Sequence, residues 1–522
     1  MKFIQGSDRR QTHLFPVSLE SSIEPDNEVR LIDLFVSSIP LLDFGFKLDF
    51  IENGRPAYHP KDLLKLFIYG YLNKMRSSRD LEKSCKRNIE VMWLMTNLQP
   101  DHNTIANFRK DNPKAIKKVF RASVSMAKHF DLIGGKLLAG DSTKFRAQNS
   151  KKNNFNANKI ARHIAYIDDK LEAYHQELSV CDTPEKEEIE KKIDKHIRRK
   201  LDYQNLEQQL KENDQTQIST SDPDSRQMIT RNNITEVAYN VQTTVDAKHN
   251  IPIDYKVTNT NDSKAMGNML QRSKTILRSN EFTALYDKGY HTGSEFKTAD
   301  DLHIDVMVAI PTVPAQAPDP AYNVEYFQYD EQNDYYTCPQ GNKLTTTGKW
   351  HKAKTYHFKR YTTKDCKQCL VKDICTKAKY GKGVQRSEYQ GFVEQNKERI
   401  AKNKTYYRKR QAIVEHPYGT IKRQWGFSYI LTKKQQQRAS ADVGLMFLAY
   451  NLKRIFNILD GSTIKKYLKA MASDYIAVIT LVSMKISSFN VFIFKAKFWV
   501  LFEKNPANQL KLNQILTYNR GF

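Results

Sequence analysis

The feature that most constrains this chain is a short segment, residues 134–143, that leads a carboxylate out of an apolar run. Gly134 and Gly135 interrupt the preceding helical pattern, the apolar run predicts a strand, and Asp141 is expected at the end of that strand. A carboxylate leaving a buried strand is costly unless it is hydrogen-bonded, paired or bound to a metal. The fold must therefore bring a partner to Asp141.

Two later segments have the same character. Residues 282–290 predict an apolar strand that ends at Asp287 before a glycine turn, and residues 408–425 form a basic segment in which Glu415 is the one acid. We predict that these acids and Asp141 form one metal site. Taken singly, each has a simpler explanation, because the aspartates can cap turns and Glu415 can neutralise its basic neighbours.

The charge balance favours a polyanionic partner. Lys and Arg number 83 against 58 acidic residues, a net charge of +25 over 522 residues. Neutralising phosphates releases counterions, so an excess on this scale is typical of nucleic-acid binding. Solvated basic faces are the alternative explanation.

Neither a membrane span nor a secretory leader is expected. The first residues lack the apolar core of a signal peptide, and the longest uncharged run near the C-terminus, Tyr475 to Met484, has 10 residues. A spanning helix needs about 20 apolar residues. With six cysteines, four of them clustered, a disulfide framework is not indicated, so we expect a cytoplasmic protein.

Hydrophobic periodicity divides the chain into several regions. Residues 1–130 predict an all-helical domain, in which a helix-turn-helix-like DNA-binding module and a supporting helical bundle are equally good interpretations. Residues 131–311 and 390–459 predict an α/β core with a mixed sheet of about five strands flanked by helices. Residues 152–215 predict a coiled-coil-like helical hairpin inserted in that core. No role can be assigned to the tail, residues 460–522.

A polar, tyrosine-rich insert, residues 312–389, carries the clustered cysteines. Cys366 and Cys369 form a Cys-x2-Cys pair, with Cys338 and Cys375 outlying. Four thiolates can bind a structural Zn²⁺ tetrahedrally, and His351 or His357 could replace one of them. Unpaired thiols in an extended loop are the alternative.

Three converging carboxylates suit phosphodiester chemistry with two divalent ions about 3.5–4 Å apart. The hard oxygen ligands indicate Mg²⁺, with Mn²⁺ as a substitute. A central strand, its neighbour and a helix across the sheet can bring such acids together despite their wide separation in sequence.

Several of these stretches carry a family resemblance that extends from about residue 10 to about residue 457. The chain resembles the DDE transposases of bacterial insertion sequences, which have an RNase H-like catalytic core and a helical N-terminal domain. The matching stretches are Tyr58-His-Pro-Lys-Asp-Leu-Leu-Lys, Tyr69-Gly-Tyr-Leu, Arg76-Ser-Ser-Arg79, Pro100-Asp-His-Asn-Thr-Ile, Asp141-Ser-Thr-Lys, Tyr239-Asn-Val-Gln-Thr, Asp287-Lys-Gly-Tyr290 and Val414-Glu-His-Pro-Tyr-Gly-Thr-Ile-Lys422.

The resemblance implies a role for particular residues. Asp141, Asp287 and Glu415 match the three catalytic, metal-binding acids of the family, and Lys422 matches a lysine seven residues after the glutamate that could hold a DNA phosphate. The family also expects a tyrosine seven residues and an arginine four residues before the glutamate, but Arg408 and Gln411 occupy those positions. A shift of one residue would assign the arginine's role to Arg410. The basic residues just after the first acid, Lys144 and Arg146, are further candidate phosphate contacts.

The resemblance also implies a reaction. The enzyme would bind the terminal inverted repeats of its element, cut there with metal-activated water, and join the freed 3′-hydroxyls to target DNA as at least a dimer. A bacterial, cytoplasmic location, at the nucleoid when DNA is bound, follows from this role. The alternatives are an RNase H-like nuclease that does not join strands and a catalytically dead DNA-binding regulator.

Overall fold

The computed structural model describes residues 18–48, 56–180, 183–230, 233–312 and 317–472. Its internal contacts divide the chain into two compact units. The first comprises residues 1–70, 78–105 and 456–522, and the second comprises residues 71–77 and 106–455. All three predicted catalytic acids belong to the second unit.

The N-terminal part of the chain is helical, as its periodicity predicts. Asparagine side chains cap two of its helices: Asn27 accepts from the backbone N–H of Val29, and Asn88 accepts from those of Glu90 and Val91. These contacts satisfy backbone donors that a helix leaves without a partner. The helices are α1 Glu28–Ser37, α2 Leu41–Phe44, α3 Pro60–Leu72, α4 Ser78–Arg87, α5 Ile89–Leu94, α6 His102–Asp111 and α7 Pro113–His129.

A mixed sheet forms the centre of the second unit. Its strands are β1 Leu137–Arg146, β4 Arg226–Ile229, β5 Thr235–Asp246, β6 Ile251–Thr258, β7 Thr283–Tyr286 and β8 Asp305–Val308. The order across its middle is β6-β5-β1-β7-β8. Strand β1 is antiparallel to β5 and parallel to β7, which is parallel to β8. The mixed α/β fold expected from the sequence is confirmed, although β4 makes six strands rather than about five.

Helices connect and cover the sheet. Two of them, α10 Met266–Leu277 and α11 Gly293–Asp301, lie between strands in sequence. The others follow the insert: α13 Gln390–Lys402, α14 Lys404–Tyr418 and α15 Gln436–Ile458. Ile413 and Val414 pack α14 onto Ala139 of β1 and Leu285 of β7, so α14 lies directly over the strands that lead to the two aspartates.

The hairpin insert consists of α8 Ala157–Leu178 and α9 Thr183–Glu212. A short strand pair closes its base, β2 Asn154–Phe155 with β3 Ile218–Ser219. Phe155, Ile160 and Leu210 form a small apolar cluster there. The coiled-coil spacing of the apolar residues thus correctly predicts a helical hairpin.

The cysteine-containing insert is a second, antiparallel sheet. Its strands are β9 Gln328–Asp330, β10 Tyr335–Thr337, β11 Lys343–Lys352, β12 His357–Thr362 and β13 Val384–Ser387, in the order β13-β12-β11-β10-β9. A short helix, α12 Lys372–Cys375, lies between the last two strands in sequence. The region thus contains a sheet, and Cys366, Cys369 and Cys375 lie in the segment between β12 and β13.

The C-terminal tail is described in part. Residues 461–472 are helical, whereas residues 473–522, including the apolar run Tyr475 to Met484, lie outside the described residues. Among the helices that the structure describes, none has both the length and the apolar character needed to cross a membrane.

Candidate active site

Asp141 lies within β1 rather than at its end, which corrects the sequence-based expectation. Strand β7 pairs with β1 only as far as Ala139, whereas β5 continues alongside β1 to Arg146. The antiparallel partner keeps the chain extended beyond the acid. Because successive residues of a strand alternate between faces, Asp141 shares the face of Ala139, which α14 covers.

An arginine of α14 meets the first acid. Arg410 Nη1 lies 3.2 Å from Asp141 Oδ2, with the two side chains 17% and 23% exposed. Burial raises the pKa of Asp141 to about 6, the guanidinium of Arg410 opposes this rise, and Asp287 adds to it. Asp141 is thus a desolvated carboxylate with a cation on one side and a second acid close by.

Asp287 follows β7 immediately, as the sequence predicts. Its Oδ1 accepts a hydrogen bond of 2.8 Å from the backbone N–H of Gly289, which caps the turn Lys288–Tyr290. The carboxylate is close enough to Asp141 and Arg410 to influence the pKa of both. The structure therefore places the two predicted aspartates near each other.

Glu415 has a different environment. It lies on an exposed side of α14 and accepts a hydrogen bond of 2.8 Å from Gln411 Nε2, one turn earlier. At 3.6 residues per turn, five residues separate the directions of Glu415 and Arg410 by about 140°. Glu415 thus occupies the helix that covers the aspartates, with its carboxylate directed away from the side that Arg410 uses.

The fit of these acids to divalent ions is partial. Within the described ranges, no three His, Cys, Asp or Glu side chains are arranged to hold a metal ion. The close pair Asp141 and Asp287 suits a hard cation, since two neighbouring carboxylates repel each other and Arg410 offsets only part of their charge. To join them, Glu415 would have to break its hydrogen bond to Gln411 and adopt a different rotamer.

The predicted phosphate contacts surround the same strand. Lys422 Nζ donates to Thr143 Oγ1 and to the backbone carbonyl of Lys144, both at 2.9 Å. Lys144 Nζ lies 3.4 Å from an Asp262 oxygen, and the more exposed Arg146 lies 3.6 Å from Glu236. Lys422 reaches β1 because residues 419–424 continue α14 as a π-helical segment after Pro417.

Comparisons with family models match two parts of the chain. The model described as "Transposase domain (DUF772)" matches residues 17–111, and the model described as "Transposase DDE domain" matches residues 337–456. The chain is thus similar to transposases over two separate regions, and the second region matches a DDE domain. The second match contains Glu415, Arg410 and Lys422, whereas Asp141 and Asp287 precede it.

Two further comparisons add little. No curated protein matched the chain. A solved structure described as "Cryo-EM structure of piggyBac transposase synaptic complex with hairpin DNA (SNHP)" is similar over 86% of this chain and 79% of that chain, with 10% identity and a TM-score of 0.33. A similarity at this level carries no argument about the present site.

Sequence reasoning missed a further acid close to β1, Asp262. Its Oδ1 accepts from Asn240 Nδ2 at 2.7 Å and from Gln242 Nε2 at 2.6 Å. Burial disfavours the charged form, but Lys144 and these amides outweigh it, so the pKa of Asp262 is lowered. Asn240 and Gln242 are two polar residues at alternate positions of a buried strand, and that pattern was the available signal.

Tyrosines complete the site. Tyr407 donates its hydroxyl to the carbonyl of Tyr286 at 2.8 Å, just before Asp287, and Tyr418 donates to the carbonyl of Asp141 at 3.2 Å. Tyr407 and Arg410 each precede by one residue the positions at which the family pattern expects a tyrosine and an arginine. Tyr407 bonds the strand end before Asp287, and Arg410 bonds Asp141.

The four predicted zinc ligands lie in one part of the cysteine-containing insert. Cys338, Cys366, Cys369 and Cys375 line a single cavity, and none of them forms a disulfide. Burial raises the pKa of the Cys375 thiol, Lys382 opposes this rise, and the other three cysteines add to it. The two histidines considered as substitutes do not line this cavity. His351 lies on β11 opposite Phe358, and His357 lies on β12 opposite Lys352.

Proposed function

We propose that the chain is an active transposase that binds the terminal inverted repeats of its element, cuts the DNA at these ends and joins the ends to target DNA. The observation that carries the proposal is the approach of Asp141 and Asp287 beneath Arg410 of α14. The raised pKa of Asp141 is typical of a functional carboxylate, because burial that costs stability is kept where chemistry needs it.

The sheet supports an RNase H-like interpretation of this core. Three antiparallel strands, β6, β5 and β1, are followed by two parallel strands, β7 and β8. Asp141 and Asp287 come just after the residues through which β1 and β7 pair. Glu415 comes from a helix that packs across the same strands. This arrangement supports a three-acid site assembled from distant parts of the sequence.

In this proposal Asp141, Asp287 and Glu415 would hold two Mg²⁺ or Mn²⁺ ions. Such ions lower the pKa of bound water and stabilise the charge that develops on the leaving oxygen. Arg410 orients Asp141, Tyr407 holds the strand end before Asp287, and Asp262 holds Lys144. These contacts keep the acids in place before DNA binds.

The DNA would lie along the basic side of the site. Lys422, Lys144 and Arg146 come from two adjacent segments that flank Asp141, and their charges suit successive backbone phosphates. Joining two ends requires at least two copies of the chain in the working complex. The net charge of +25 supports a DNA partner.

A strand-joining assay tests this proposal. Labelled duplexes that end in the pre-cut terminal repeat would be incubated with supercoiled target plasmid and Mg²⁺ or Mn²⁺. We expect labelled DNA to appear in the relaxed or linear plasmid, and to disappear in Asp141→Ala. Cutting of intact ends without joining would identify a nuclease, and end binding without either reaction would identify a regulator.

A further inference from the structure

The cysteine-bearing insert has little apolar core for its size. Five buried residues, Phe327, Tyr336, Leu344, Tyr361 and Val384, form its cluster. The segment between β12 and β13 adds almost nothing, because its large apolar side chains Leu370, Ile374 and Tyr380 are 103%, 44% and 75% exposed. Small units with so few buried residues usually need a metal or disulfides to hold one conformation.

All four cysteines line one cavity, three of them from turns and one from the end of a short helix. Cys338 follows β10, and its turn is closed by a 2.8 Å hydrogen bond from the Gly341 N–H to the Cys338 carbonyl. Gly341 has φ +80°, a conformation that favours glycine. Cys366 and Cys369 lie in the turn after β12, and Cys375 ends α12.

The segment that leads into β13 lies against the cysteines. At Gly381, φ is +98° and an added Cβ would lie 2.3 Å from the Cβ of Cys366, so a larger residue could not occupy this position. The next residue, Lys382, is 7% exposed and lines the same cavity. A buried ammonium at this position can pair with negative charge gathered in the cavity.

We propose that Cys338, Cys366, Cys369 and Cys375 bind one structural Zn²⁺ that fixes the fold of residues 317–389. Four thiolates around Zn²⁺ leave a net charge of about 2−, which Lys382 partly offsets, and the Zn–S distance is about 2.3 Å. As placed in the described structure, no three of these thiols converge closely enough to hold an ion. Rotation about one bond moves each thiol between staggered positions, so zinc binding would turn them into the cavity and release their protons.

Metal analysis of the full-length protein tests this proposal without measuring transposition. Protein expressed without a histidine tag in zinc-supplemented medium would be analysed by mass spectrometry for metal content. We expect about one zinc per chain in the wild type. The double substitution Cys366→Ser/Cys369→Ser should abolish zinc binding, whereas the matched control Cys181→Ser, a cysteine outside the described residues, should retain it.

Two further variants distinguish the loss of a zinc ligand from misfolding as the cause of zinc loss. Cys338→His keeps a zinc-binding side chain and should retain the metal, whereas Cys338→Ser should lose most of it. Replacement of the zinc by Co²⁺ should give the visible absorption of tetrahedral thiolate coordination, and this absorption should change in Cys338→His. Wild-type protein without zinc, zinc that persists in the double serine variant, or cysteines found paired as disulfides would overturn the proposal.

Discussion

The close approach of β1 and β7 predicts that Gly140→Ala will damage both stability and catalysis. An added Cβ at Gly140 would lie 1.9 Å from Cε1 and 2.4 Å from Cζ of the Tyr286 ring. Carbon atoms in contact are normally about 3.5–4.0 Å apart, so the ring or the strand would have to move by more than about 1.5 Å. Tyr286 is 1% exposed and has little room for such a movement.

Overpacking of this kind costs about 1–3 kcal/mol in the free energy of unfolding, and the short distance places Gly140→Ala near the upper limit. Each kcal/mol lowers the thermal midpoint of a domain by about 2–4 °C. Cleavage should fall more than stability, because Asp141 follows Gly140 directly and Asp287 follows Tyr286. Thermal unfolding followed by circular dichroism, and cleavage of labelled element ends, measure the two effects.

A matched control separates crowding from the change of residue type. Gly391 lies in a helix with open space around its added Cβ, so Gly391→Ala should leave stability unchanged or raise it slightly. In a Tyr286→Leu background, Gly140→Ala should cost less than in the wild type, because the clashing ring is absent. If Gly140→Ala unfolds no earlier than the control and cuts normally, the described contact between β1 and β7 is wrong.

Three more substitutions test other parts of the second unit. Arg410→Ala removes the cation that opposes the rise in the pKa of Asp141, so this pKa should increase beyond about 6 and the acid limb of the cleavage pH profile should move to higher pH. Asp262→Ala removes a carboxylate that Lys144 and two amide side chains contact. The Mg²⁺ concentration needed for half-maximal cleavage should therefore rise by about 10–100-fold. DNA binding, measured by fluorescence anisotropy, should be retained. Asp442→Ala should destabilise the fold by about 3–5 kcal/mol, seen as an early thermal transition. The fully buried Asp442 lies within 3.5 and 3.7 Å of two buried arginines, which would lose this carboxylate.

The sequence predicted the elements with strong periodicity. Helix α3, the hairpin α8–α9, strand β5 and helix α15 appear where apolar spacing and turn residues place them. The acid Asp287 likewise lies at the end of its strand. In these segments local pattern and tertiary packing favour the same structure.

Features that depend on long-range contacts could not be read from the sequence. The sequence predicts that β1 ends at Asp141, but nearly a hundred residues later in the chain β5 supplies the backbone partners that extend the strand to Arg146. The bond of Asp262 to Lys144 spans 118 residues. The direction of Glu415 depends on the rotation of α14, which its packing on the sheet sets.

Cleavage by three matched acid variants tests the central claim most directly. Labelled element ends would be incubated with Mg²⁺ or Mn²⁺ and wild-type protein, Asp141→Ala, Asp287→Ala or Glu415→Ala, with Glu398→Ala, an exposed acid of α13, as the control. We predict cutting by the wild type and the control, and none by the three variants, while all five proteins bind the DNA. Normal cutting by any of the three variants would remove that acid from the site, and cutting that persists without divalent metal would contradict the proposed chemistry as a whole.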